Sequence, residues 1–115
     1  MINWQRVSEL REEVGPEDFD EVVALFLEEV EDTLQRIVTN PDPGTLAEDM
    51  HFLKGCALNM GFRTFTAACQ HAERRTAEGA ADDVDPKQIE ETYLTSKQAF
   101  LSALPGTLTG DQTSL

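Results

Sequence analysis

The residues best suited to chemistry are His51 and Lys54, in the run Glu48-Asp49-Met50-His51-Phe52-Leu53-Lys54-Gly55-Cys56. A neutral imidazole is a competent nucleophile and is well populated near neutral pH. In a helix, residues three and four apart share a face, so Lys54 and Gly55 lie on the face of His51. Met50 belongs to an apolar stripe, and the next residue sits about 100° round the helix. His51 is therefore expected on the flank, exposed. Glycine inside a helix costs about 1 kcal/mol relative to alanine. One turn from His51, Gly55 removes side-chain bulk and lets another molecule approach the ring. A lysine on that face can hold a negative group attached to the imidazole, most simply a phosphoryl group. Leu58 continues the face, and Phe62 is expected to extend it past the helix end.

These residues need a rigid element, and the hydrophobic pattern supplies one. Leu46, Met50, Leu53, Ala57 and Met60 recur at spacings of 4, 3, 4 and 3, the seam of an antiparallel bundle. A helix is predicted from about Thr45 to Gly61. Before it, Trp4 to Val14 reads as a short amphipathic helix, broken by Gly15-Pro16. Pro16 suits the first turn of the next helix, whose stripe is Phe19, Val22, Val23, Phe26, Val30, Leu34 and Ile37. Asn40-Pro41-Asp42-Pro43-Gly44 ends that helix. A fourth helix carries Phe65, Ala68, Cys69, Ala72 and Thr76 and stops at Gly79. After an acidic loop, Pro86 opens a fifth, with Ile89, Tyr93, Ser96, Phe100 and Leu104 facing in and Pro105-Gly106 as its stop. The expected fold is all-α: an up-down-up-down antiparallel four-helix bundle with a short extra N-terminal helix. Residues 1–104 read as one domain, and residues 105–115 as a disordered tail.

Charge and composition narrow the function. The chain has 115 residues, nine Lys or Arg against 22 Asp or Glu, and a net charge of −13. That balance argues against nucleic acid and against anionic lipid as partners. No apolar run could span a bilayer and no secretory leader is evident, so the expected location is the cytoplasm. P-loop, dinucleotide, nucleophile-elbow and Cys-x-x-Cys motifs are absent. Cys56 and Cys69 suit a reduced interior, Cys69 as a small core residue.

His51-Phe52-Leu53-Lys54-Gly55, followed by Gly61, resembles the His-x-x-Lys-Gly…Gly signature of histidine phosphotransfer (HPt) domains. The resemblance runs from the second helix to the fifth. It implies a phosphorelay intermediate that carries a phosphoryl group between receiver-domain aspartates, without an ATP site of its own. His51 would be phosphorylated at Nε2, Lys54 would stabilise the phosphoryl oxygens, and Gly55 would leave room for the receiver. Gly61 would shape the turn into the next helix. Glu73 is the candidate for the Nδ1 hydrogen bond that fixes the tautomer, with Gln70 as its substitute. Leu58, Gly61 and Phe62 would form the docking contour. The partners implied are response-regulator receiver domains and a hybrid histidine kinase. The chain itself would be monomeric and without a cofactor, since Mg²⁺ belongs to the receiver. Cys56, Met50 and Phe62 depart from the residues usual at their positions.

Other readings remain open. Sensor-kinase dimerisation helices place an acidic residue after the histidine, where this chain has Phe52. Glu48-x-x-His51 has di-iron spacing, but the position three before His71 is Ala68, so a metal-binding bundle lacks its second half. His71 reads as an ordinary surface residue. Arg74 and Arg75 would pair with nearby acids or face an acidic partner. A non-catalytic adaptor is the remaining class, and it would tolerate loss of His51.

Overall fold

The computed structural model describes the backbone of residues 1–107 and the side chains of residues 1–103. The described residues form five α-helices: α1 (Trp4–Val14), α2 (Phe19–Thr39), α3 (Leu46–Met60), α4 (Arg63–Ala77) and α5 (Pro86–Thr107). Pro16 lies in the turn before α2 rather than in its first helical turn. A single 3₁₀ turn, Ala81–Asp83, interrupts the acidic connection before α5. The last helix runs through Pro105 and Gly106 to Thr107, past its expected stop. A proline in the last turn forfeits a backbone donor where only two helical residues follow it. Residues 108–115, the remainder of the expected tail, lie outside the described residues. Among the described residues no helix is long and apolar enough to cross a membrane.

One apolar cluster draws on all five helices. Helix α3 packs on α2 and α4, and α5 packs on the same two, so the four long helices close around it. The whole predicted α3 stripe is buried: Leu46, Met50, Leu53, Ala57 and Met60. From α4 and α5 come Phe65, Cys69, Ala72, Ile89, Tyr93 and Phe100. Val7 and Leu10 of α1 join them, and Trp4 stacks on Phe100 with ring centroids 5.8 Å apart. Of the acidic residues Glu28, Glu29, Glu31 and Asp32 on α2, whose sequence pattern reads as a solvated face, Glu31 is an exception. Glu31 accepts hydrogen bonds from Tyr93 Oη and Lys97 Nζ, and ties α2 to α5.

The turn that ends α3 sets the geometry of the site. Gly61 adopts the left-handed region at φ 74°. The Phe62 N–H donates to the Ala57 carbonyl at 2.9 Å and the Gly61 N–H to Leu58 at 3.2 Å, a Schellman closure. The N-terminal segment then locks onto this turn. The Asn3 N–H donates to the Gly61 carbonyl at 2.7 Å, and the Arg63 N–H to the Met1 carbonyl at 2.9 Å. A Cβ at Gly61 would lie 2.6 Å from the Asn3 carbonyl oxygen. Gly61→Ala is therefore expected to cost about 2–4 kcal/mol, from the left-handed backbone plus loss of the Asn3 contact. Urea unfolding measures this, and a loss below about 1 kcal/mol would show that the turn relaxes freely.

Candidate functional site

Helices α3 and α4 bring together a histidine, a lysine and a glutamate. His51 stands on the α3 flank with 70% of its side chain exposed. Its Nδ1 lies 2.9 Å from Glu73 Oε2 on α4. The other carboxylate oxygen, Oε1, lies 2.7 Å from Lys54 Nζ. One forked carboxylate thus holds both α3 side chains, one turn apart, from the neighbouring helix. The Lys54 ammonium, with His51 assisting, holds the Glu73 carboxyl below the usual carboxylate range against its partial burial. With Nδ1 occupied, Nε2 is the ring nitrogen left for solvent or a partner. In the tautomer that donates Nδ1–H to Glu73, Nε2 keeps its lone pair.

The remaining predicted residues separate into two groups. Gly55 lies beside this cluster, and a Cβ built on it meets nothing within 4 Å, so the helix surface next to His51 is bare. Leu58 is 55% exposed. Gln70 lines the shallow groove that also holds Lys54, Glu73 and Arg74, but the Nδ1 partner is Glu73. Phe62 does not belong to the exposed face. It is fully buried against Tyr93 and Phe100, with centroids 6.3 and 5.4 Å away. Gly61 is also buried, pressed against Asn3. The left-handed residue at Gly61 redirects the chain, so the face of His51 and Leu58 does not continue into Phe62.

Phe52, 40% exposed, is an apolar side chain beside His51 that was not among the expected docking residues. Its offset of about 200° from the buried Met50 was the available signal. The two cysteines are free and buried. Burial pushes the Cys69 thiol up to about 12, and raises Cys56 as well, so both behave as protonated core groups. Among the described residues no three His, Cys, Asp or Glu side chains gather as a metal ligand set.

The match that decides the family covers most of this architecture. The Hpt domain family model matches residues 21–104, from the start of α2 into the last turns of α5. The chain is an Hpt domain. Comparison with curated proteins returned no match, and comparison with solved structures returned none. Hpt domains are phosphotransfer modules of two-component signalling and interact with receiver domains and kinases. Helix α1 and the segment that locks the α3–α4 turn precede the matched region, and α1 packs on α2 and α3 within it.

Proposed function

We propose that this Hpt domain is a phosphorelay intermediate in which His51 accepts a phosphoryl group from a receiver aspartate and passes it to a second receiver. The observation that carries the reading is the forked Glu73 carboxylate, which orients an exposed imidazole and holds a lysine beside it. The Nε2 lone pair forms the N–P bond as the acyl-phosphate P–O bond breaks in line, and the receiver regains its carboxylate. The Nδ1 proton stays on the ring, so the phosphorylated imidazole gains positive charge, which Glu73 offsets. Lys54 is near enough to turn toward the phosphoryl oxygens. Mg²⁺ belongs to the receiver, and this chain supplies the acceptor atom, its orientation and the docking face. The reading includes an up-down-up-down order of α2 to α5, a cytoplasmic location and a monomeric chain.

The direct test incubates the protein with receiver domains charged by a small acyl phosphate. Label on the chain that is acid-labile and base-stable supports transfer to histidine. No label across the full set of receivers from the same source would overturn the reading. The bare surface at Gly55 gives a second check. Gly55→Gln is expected to slow transfer about a hundredfold by displacing the docked receiver. It should leave the thermal melt unchanged or slightly raised, since glutamine is the better helix former. Normal transfer by this variant would remove the clearance argument.

A further inference from the structure

Positive charge in this acidic chain is concentrated around the site. Residues 50–77 hold four of the nine basic residues and one of the 22 acids, a net of +3 in a chain of −13. The acid is Glu73, already engaged by Lys54 and His51. Arg75 is paired as well, with Glu78 and Asp83. Arg63 and Arg74 differ. Both are exposed, and neither side chain makes an ion pair or hydrogen bond among the described residues, despite the excess of acids.

Their spacing puts them on one line. Eleven residues of helix turn about 1,100°, within about 20° of three full turns, and advance about 16 Å. Ala67, Gln70 and Ala77 fall on the same stripe. Two shallow depressions run beside it along the α3–α4 seam. One is lined by Leu58, Arg63, Ala67 and Gln70, the other by Lys54, Gln70, Glu73 and Arg74. Ala67 and Gln70 lie between the two unpaired guanidinium groups, on the helix whose Glu73 holds the exposed imidazole.

We infer that Arg63 and Arg74 select the receiver, by pairing with two acidic groups about 16 Å apart on the receiver face that surrounds its phosphorylated aspartate. This rests on the phosphorelay reading and assigns the discrimination among partners to α4. A chain of −13 repels acidic proteins at long range. The α4 stripe reverses that sign locally, so only a partner presenting its acids at this spacing is drawn onto His51. Arginine suits the task because its planar fork meets a carboxylate through two hydrogen bonds.

The test uses the full chain and receivers charged with a small acyl phosphate. Transfer rates are compared for wild type, Arg63→Glu, Arg74→Glu and Lys87→Glu, in low and high salt. Lys87→Glu makes the same change in net charge at an exposed position on α5. Each arginine variant is expected to slow transfer from the preferred receiver about tenfold at low salt, with Lys87→Glu within about twofold of wild type. Rising salt should slow wild type more than either arginine variant. Equal rates for Arg63→Glu, Arg74→Glu and Lys87→Glu would overturn the assignment while leaving phosphotransfer intact. Absence of label on wild type from every receiver would instead overturn both. Thermal melts of all four proteins should lie within about 5 °C of one another, since the altered side chains are exposed, have no partners to lose and change only interactions with helix ends.

Discussion

His51→Gln is expected to abolish phosphoryl acceptance, a fall of more than about a thousandfold, with the fold intact. Glutamine keeps a polar side chain of similar reach but has no nucleophilic nitrogen, because its amide lone pair is delocalised. The position is a surface one, 70% exposed, so the substitution should move stability by no more than about 0.5 kcal/mol. The lost hydrogen bond to Glu73 faces water, and Lys54 still occupies the other carboxylate oxygen. The measurement is label on the chain after incubation with charged receivers, beside a thermal melt. Equal labelling of both proteins would move the acceptor elsewhere, with the exposed His71 the first alternative. A docking function without chemistry would survive the change, which separates an adaptor from a carrier.

Phe62→Ala is expected to cost about 3–5 kcal/mol, the range for deleting a fully buried phenylalanine. Domains of this kind have about 5–15 kcal/mol in total, so the variant should be partly unfolded at working temperature. The ring packs on Tyr93 and Phe100, and Phe100 in turn stacks on Trp4, so the cavity would open where α1, α4 and α5 meet. Urea unfolding gives the number directly. A variant that kept its stability within about 1 kcal/mol and lost only transfer would return Phe62 to the docking face.

The contrast between Leu58 and Phe62 shows where the sequence was legible. Within α3 the pattern was sufficient: Leu46, Met50, Leu53, Ala57 and Met60 follow one helical phase, and all are buried. The phase also put His51 on the flank. It could not be carried across Gly61, because a single residue at φ 74° resets the direction of the chain. Glu73 and Gln70 remained alternatives for a related reason. Periodicity fixes which residues of α4 share a face, but not how that face is turned toward α3. The 2.9 Å contact to Nδ1 supplies the missing rotation. Arg74 and Arg75 were equally ambiguous as neighbours in sequence. Packing sends Arg75 toward Asp83 and the connection before α5, and leaves Arg74 beside Lys54. Glu31 read as solvated because its partners, Tyr93 and Lys97, are more than sixty residues away.

The shared carboxylate of Glu73 bears on how long a loaded state should last. With the ring neutral, the glutamate and lysine charges cancel. Arrival of a phosphoryl group sets two anions in competition for Lys54, and the cationic ring at Nδ1 offsets Glu73 only in part, so whichever anion the ammonium leaves is the less well satisfied. The loaded protein is thus held short of its lowest attainable energy. A carrier that is filled and emptied at the same atom benefits from that shortfall, since a deep well would trap the cargo. On the proposed reading, Glu73 serves turnover by keeping the intermediate poised to give its phosphoryl group away.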